Sequence, residues 1–176
     1  MNSQPRIDPS VRDGSAIDAA ILVFCETVER ASSVDLMTSE IVRLRCAEYH
    51  NCRICGSFRN VQALAQGLDE TLVQKIRDHA ASDLPERWKV ALRLADAVVA
   101  APHEADAQLS ADLHEHFSDQ QIAEIIFDVM KWSDQKVEVS LATDTPPWEG
   151  LSLHTFDEQG RMRSHGPISA EPAIAR

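Results

Sequence analysis

The chain has 176 residues, of which 44% are hydrophobic, and it carries a formal net charge of -11. This length is sufficient for one domain with its own core, and the hydrophobic content argues against disorder. The acidic balance, without an offsetting basic patch, excludes nucleic acid as the expected partner. Because no apolar run is long enough to span a membrane and the N-terminus has no apolar signal region, we expect a cytoplasmic protein without membrane contact.

The first half of the chain predicts a leader and three helices. Residues 1–14 are polar and turn-rich and are interpreted as the leader. Ser15 begins the first helix, because Asp18 follows three residues later in an acidic relative of the capping box. The second helix begins in the polar segment 35–39, and a third is predicted over residues 52–67, where a glycine ends it.

The second half predicts further helices and then an irregular tail. A fourth helix begins at Asp69 and ends at Pro85, and a fifth follows Pro85 and ends at Pro102. The last helix begins at the capping-box pair Ser118 and Gln121 and ends near Leu141. A short helical segment lies before the capping box, and residues 145–176 lack apolar periodicity and predict an extended tail. No stretch alternates apolar and polar residues long enough for a strand. The sequence therefore predicts an all-α domain over residues 15–144, a compact bundle of about six to seven helices.

Two cysteines at the start of the predicted third helix have the spacing of a redox dithiol. Asn51 precedes Cys52 and can cap the helix, and Cys55 follows one turn later. The N–H groups and the dipole of a helix start stabilise a thiolate and lower its pKa. Arg53 and Arg59 add positive charge on either side. Helix-start electrostatics alone favour Cys52 as the more acidic thiol.

Two other interpretations of these cysteines remain open. Cys46 and His50 lie one helical turn apart and could form a zinc site with Cys52 and Cys55, although structural zinc sites usually take their ligands from two separated segments. The thiols could also be inert small hydrophobic groups, and Cys25, on an apolar helix face, is expected to lie in the core. The sequence gives no other indication of a metal or a cofactor.

Glu40, Cys52 and Cys55 resemble the core motif of the alkylhydroperoxidase D / carboxymuconolactone decarboxylase family. That motif reads Glu, eleven residues, Cys, two residues, Cys, three residues, His. Segment 117–124 is similar to a later helix start in the family, so the resemblance covers roughly residues 20–143. It implies a homo-oligomeric antioxidant enzyme in which Cys55 attacks a hydroperoxide, Cys52 closes a disulfide and a dithiol protein is the reductant.

The sequence departs from the motif at Arg59, which occupies the position of the family histidine. The resemblance implies a relay between that histidine and the glutamate, and an arginine cannot accept a proton at any relevant pH. If the chain folds back after Asn51, Glu40 approaches the third helix, and we expect a Glu40–Arg59 ion pair; a surface salt bridge of Glu40 elsewhere is the alternative. We also expect the charge of Arg59 to favour a thiolate at Cys55. His50 could replace the lost base, although simple exposure at a helix end also explains it.

The sequence therefore predicts a thiol-dependent peroxidase with Cys55, Cys52, Glu40 and Arg59 as its site residues. One alternative is a thiol–disulfide exchange protein with little peroxidase activity, which would act on disulfides. Another is an oligomeric binding protein without catalysis. Decarboxylase chemistry fits less well, because reactions of lactones do not call for a pair of cysteines.

Overall fold

The structure is a computed structural model that describes residues 7, 8, 10 and 15–168. Most of the predicted leader and the end of the predicted tail lie outside these residues. The helices and strands are, in chain order, α1 (Ala16–Glu29), α2 (Leu36–Tyr49), α3 (Arg53–Ser57), β1 (Phe58–Asn60), α4 (Val61–Ala65), α5 (Glu70–Arg77), α6 (Glu86–Ala100), a 3-10 turn (Pro102–Glu104), α7 (Ala107–His116), α8 (Asp119–Trp132), α9 (Gln135–Leu141), β2 (Ser152–Phe156) and β3 (Met162–Pro167). The predicted helical bundle is confirmed, and it carries a small sheet that the sequence did not predict.

Side-chain caps begin several helices at the predicted residues. The Ser15 hydroxyl accepts a hydrogen bond from the backbone N–H of Asp18 at 3.0 Å. Asp69 caps α5 in the same way, and Ser118 and Gln121 form the complete capping box of α8. These caps satisfy backbone N–H groups that have no partner within the helix.

The predicted third helix is divided in two by a strand. α3 ends at Ser57, and α4 begins after Asn60, whose side chain accepts hydrogen bonds from the N–H groups that follow it. Asn51 does not cap α3: it has a left-handed backbone with φ of 54°, and Cys52 is the N-cap residue. The predicted last helix is also divided, because α8 ends at Trp132 and α9 follows after a turn.

Helix α2 is central to the core, and nine of its fourteen residues are buried. Val42 and Cys46 belong to an apolar cluster formed mainly with α6, α7 and α8. Ile41 and Leu44 belong to a second cluster, which includes residues of α4, α5 and α6. Because apolar clusters cover both sides of α2, a charged residue that is buried in it must find its partners inside the protein.

Part of the predicted tail returns to the segment that follows the cysteines. β2 pairs with β1 in parallel, with Phe58 opposite Ser152 and Asn60 opposite His154. β2 and β3 form an antiparallel hairpin. This hairpin, residues 152–167, therefore lies beside the dithiol. Among the described residues, no helix has both the length and the apolar character needed to cross a membrane.

Candidate functional site

The two cysteines of the motif have different surroundings. Cys52 is 2% exposed at the N-cap of α3, whereas Cys55, one turn later, is half-buried and lines a cavity of about 730 Å³. α1, α8, α9 and the hairpin form the other walls of this cavity. Both cysteines are free thiols. A molecule in the cavity would therefore meet Cys55 rather than Cys52.

The two thiols differ in acidity because they act on each other. The pKa of Cys52 is lowered, chiefly because the Cys55 thiol is placed to donate a hydrogen bond to its sulfur; burial opposes this shift. The pKa of Cys55 is raised by the same hydrogen bond, by burial and by the charge on Cys52. The positive charge of Arg43 partly offsets that rise. Cys52 is therefore the first of the two to ionise, as helix-start electrostatics predicted.

Glu40 forms a buried ion pair with Arg43, one turn along the same helix. The two Glu40 oxygens accept hydrogen bonds from Arg43 Nε at 2.7 Å and Nη2 at 2.8 Å, and both residues are almost fully buried. Arg43 also donates to the carbonyl oxygens of Cys55 at 2.6 Å and Phe58 at 2.8 Å. The Arg43 side chain thus holds the chain on both sides of the α3–β1 junction and brings its charge close to Cys55.

The expected Glu40–Arg59 ion pair is wrong. Arg59 pairs with Glu70 through two hydrogen bonds of 2.7 and 2.9 Å and donates to the carbonyl of Gly56 at 2.8 Å. Successive strand residues point to opposite faces, so the Arg59 side chain leaves β1 on the face opposite to the side chains of Phe58 and Asn60. The backbone N–H of Asn60 approaches Glu40 instead, at 3.3 Å.

His154, on β2, is a residue of this region that the sequence analysis missed. It is fully buried between the rings of Phe58 and Phe156, at centroid distances of 5.7 and 5.3 Å. Within the described part of the chain neither ring nitrogen forms a hydrogen bond, although the Arg59 carbonyl is close enough to favour a proton on the ring. Burial, and then the charge of Arg43, lower its pKa to about 4. In the sequence, His154 is a histidine in a segment without helical periodicity. Nothing in that pattern distinguishes His154 from the other histidines of the chain.

The remaining cysteines and His50 have less to do with the dithiol chemistry. Burial raises the pKa of Cys46 to about 12. Cys25 is half-buried and lines the cavity, so its assignment to the core is wrong. His50 is also half-buried, with its pKa lowered by burial to about 4. Across the described residues, no group of three or more His, Cys, Asp or Glu side chains could hold a metal ion.

Sequence comparison finds two uncharacterized relatives of the chain. No protein-family model matches it. It is 42% identical over 124 residues to the uncharacterized proteins MT2376 and Rv2313c from two strains of Mycobacterium tuberculosis. The match covers 70% of this chain and 44% of each relative, so the chain spans less than half the length of these relatives.

The fold is similar to that of a solved structure from Agrobacterium tumefaciens. That protein, ATU0492, is of unknown function and is proposed to be the antioxidant defence protein AhpD. The two structures superpose with a TM-score of 0.66 at 20% sequence identity, over 83% of this chain and all of the other. At this identity the likeness concerns the fold alone. The chain therefore has the alkylhydroperoxidase D-like fold that its Glu40–Cys52–Cys55 motif implied.

Proposed function

We propose that this protein is a thiol-dependent peroxidase that reduces hydroperoxides through a Cys52–Cys55 dithiol. The observation that supports this proposal most is the asymmetry of the two thiols. Cys55 lines a large cavity, and its partner Cys52 is buried and more acidic. A reactive cysteine needs access to its substrate and a route for its proton, and this arrangement offers both.

In the first step Cys55 attacks the terminal oxygen of the hydroperoxide. The S–O bond forms as the O–O bond breaks, the Cys55 proton moves to the Cys52 thiolate, and the alkoxide that leaves takes a proton from solvent. Cys55 is then a sulfenic acid and Cys52 a thiol. The Cys52 thiolate thus serves as the base that a histidine at position 59 would otherwise supply.

In the second step Cys52 attacks the sulfenic sulfur of Cys55. A disulfide forms, and the sulfenic hydroxyl leaves as water. A dithiol donor then attacks Cys55 from the cavity, and Cys52 leaves as the thiolate because the more acidic thiol is the better leaving group. The donor's second thiol attacks the mixed disulfide, which returns Cys55 as a thiol and leaves the donor oxidised.

Glu40 and Arg59 act as positioning residues in this scheme. Glu40 orients Arg43, whose guanidinium holds the carbonyl of Cys55 and favours ionisation of its thiol. Arg59 connects the end of α3 to α5 through the carbonyl of Gly56 and the carboxylate of Glu70. Neither side chain supplies a proton acceptor to the thiols.

A thiol–disulfide exchange protein is the second candidate, and a specific observation favours it. Glu40 is engaged by Arg43 and Asn60, and Arg59 cannot accept a proton, so the only base assigned to the thiols is a thiolate. General acid–base assistance contributes about a hundredfold to ten-thousandfold to enzymatic rates. Disulfide exchange needs only the thiolate and an accessible sulfur, and it would proceed without such assistance.

The test is a single turnover of the reduced protein with an organic hydroperoxide. We expect loss of hydroperoxide together with two thiols, and a Cys52–Cys55 disulfide in the peptide map. Cys52→Ser should stop at a sulfenic acid on Cys55 that a dimedone reagent traps, and Cys55→Ser should be inactive. Cys46→Ala is the matched control, because Cys46 does not line the cavity. Disulfide exchange without hydroperoxide loss would favour the second candidate, and a sulfenic acid on Cys52 in Cys55→Ser would reverse the two roles.

We also propose that the protein is a cytoplasmic homo-oligomer. α1 has no buried residue, and its Ile17, Leu22 and Val23 are 72%, 57% and 61% exposed. On α8, Phe127 and Met130 are about half exposed as well. Apolar helix faces of this kind are commonly covered by a second subunit. Light scattering should give a mass above the 19.5 kDa of one chain; a value equal to it at micromolar concentration would exclude the oligomer.

A further inference from the structure

One polar side chain in the wall of the cavity beside Cys55 has no hydrogen-bond partner. Gln135, the first residue of α9, lines the cavity and is 4% exposed. Within the part of the chain that the structure describes, neither its Oε1 atom nor its Nε2 atom forms a hydrogen bond. Charged side chains of the same wall do have partners, in the pairs Lys131–Glu29, Arg161–Glu26 and Glu138–Thr143. Because a buried amide without partners destabilises a protein, stability does not explain Gln135.

Helix α9 connects Gln135 to the segment that carries the dithiol. Glu138 follows Gln135 by three residues, so the two side chains lie on neighbouring positions of one helix face. The negative charge of Glu138 opposes ionisation of both Cys52 and Cys55, so this face lies within electrostatic reach of the dithiol. Just beyond α9, the carbonyl oxygen of Asp144 accepts a hydrogen bond of 3.1 Å from the backbone of α3. α9 is therefore fixed to α3, and Gln135 shares one cavity with the Cys55 thiol.

The donor and the acceptor of this amide match the two oxygens of a hydroperoxide. In the group R–O–O–H the terminal oxygen carries a hydrogen, and the inner oxygen can accept one. Oε1 of Gln135 can therefore accept a hydrogen bond from the terminal O–H while Nε2 donates to the inner oxygen. Both amide atoms lie just below the cavity surface, and the last torsion of a glutamine side chain turns easily. An amide without partners loses no hydrogen bond when it turns towards a substrate.

We propose that Gln135 is a catalytic residue that binds the O–O–H group of the hydroperoxide and stabilises the oxygen that leaves. This inference rests on the proposed function and adds the group of the protein that acts on the substrate. When the Cys55 sulfur attacks the terminal oxygen, the O–O bond breaks and negative charge develops on the inner oxygen, where Nε2 donates its hydrogen bond. The terminal oxygen keeps its hydrogen and becomes the sulfenic hydroxyl, and the alkoxide takes its proton from solvent.

The first experiment compares rate and stability in one variant. Gln135→Met keeps the length of the side chain and removes both polar atoms. Its single-turnover rate with cumene hydroperoxide should fall about a hundredfold, as for the loss of one donor to a developing oxyanion. Its urea midpoint should stay the same or rise, because a buried amide without partners is removed. Gln120→Met, at the exposed start of α8, is the control and should change neither quantity. An unchanged rate, or a loss of stability together with rate, would overturn the inference.

A change of leaving group tests which oxygen the amide stabilises. Peroxybenzoic acid releases benzoate, which is a much weaker base than an alkoxide and needs less stabilisation in the transition state. The loss of rate in Gln135→Met should therefore be at least about tenfold smaller with peroxybenzoic acid than with cumene hydroperoxide. Equal losses with the two substrates would show that Gln135 does not act on the leaving oxygen.

Binding without turnover separates this inference from the proposed function. In a protein that carries both Cys52→Ser and Cys55→Ser the dithiol cannot react. The side-chain NH2 signal of Gln135 in its NMR spectrum is identified by its absence from Gln135→Met. Cumene hydroperoxide should shift this signal and leave that of Gln120 in place. A shift, when the natural protein consumes no hydroperoxide, would refute the peroxidase function and leave the binding site standing. Hydroperoxide consumption by the natural protein without the shift would do the reverse.

Discussion

The segment 35–57 and the hairpin 152–167 both form the site, but they are specified in different ways. The first contains α2 and α3 and is determined largely by signals within itself, such as the cap at Asp35 and the buried apolar residues of α2. The second is exposed along β3 and is held in place by pairing with β1 and by contacts with α1. The reactive cysteines therefore lie in the segment that is specified by its own sequence. The shape of the cavity depends on the hairpin, which is specified by contacts with distant residues.

The largest expected effect is in the locally specified segment. Arg43→Met should destabilise the protein by about 3–5 kcal/mol, because it leaves Glu40 as a buried charge without its partner. Arg45→Met is the matched control on the same helix. Its ion pair with Asp96 is partly exposed and should contribute about 1 kcal/mol or less. Urea unfolding of both variants measures the two losses in free energy of unfolding. Equal losses would show that the buried Glu40–Arg43 pair contributes no more than the partly exposed pair.

The hairpin should make stability depend on pH through His154. Its pKa is about 4 in the folded protein against 6.5 as the ordinary value, so the unfolded chain binds more protons between these pH values. The contribution of His154 to the free energy of unfolding is therefore complete above pH 6.5. It falls by about 3 kcal/mol as the pH drops towards 4. Glu40 and the Arg59 carbonyl favour the proton, whereas Arg43 and His165 oppose it.

His154→Phe isolates this contribution, because a third aromatic ring can take the place between Phe58 and Phe156. Its unfolding free energy should fall less than that of the natural protein between pH 6.5 and 4. His50 has a similarly low pKa and remains in the variant, so part of the pH dependence should persist. Identical curves for the two proteins would mean that the burial of His154 has no thermodynamic consequence.

A smaller effect is expected where the hairpin tip meets α1. At Gly160 an added Cβ would lie 2.5 Å from the carbonyl oxygen of Glu26. Gly150 has the same φ of 78° and nothing within 4 Å of an added Cβ. Gly160→Ala should therefore cost about 1–2 kcal/mol more than Gly150→Ala, because only the former combines backbone strain with a clash. Thermal unfolding of the two variants would show whether the tip is pressed against α1 as tightly as the distance implies.

Sequence patterns predicted the parts of the molecule that depend on neighbours in the chain. The caps at Ser15, Asp69 and Ser118 and the position of the dithiol at a helix start were found in this way. β1 was not, because its three residues lie between two short helices and only pairing with β2 makes them a strand. His154 was not either, because its importance comes from the distant residues around it.

Arg59 shows the same limit within the motif itself. Its place in the sequence suggested a partner of Glu40 and a charge acting on Cys55, since it stands one helical turn after that cysteine. Both expectations assumed that α3 continues through residue 59. Instead, α3 ends at Ser57, where Arg43 binds the carbonyls of Cys55 and Phe58. The alternation of side chains along β1 then directs Arg59 towards Glu70.

The smallest expected effect follows from this geometry. Arg59→Gln should change the alkylation rate of the dithiol near neutral pH by no more than about threefold, because the Glu70 carboxylate, which accepts two hydrogen bonds from Arg59, already compensates the guanidinium charge. The cation that favours ionisation of Cys55 is Arg43, so Arg43→Gln should slow alkylation more, once its native fraction is taken into account. Alkylation against pH, with Cys52 and Cys55 resolved by peptide mass, measures both variants. A shift of the Cys55 profile to higher pH in Arg59→Gln that equals the shift in Arg43→Gln would restore the role that the motif alone assigned to Arg59.

Stability of Arg59→Gln is a separate matter, because the carbonyl of Gly56 loses its donor. Unfolding of that variant at lower urea with an unchanged alkylation profile is therefore the expected combination.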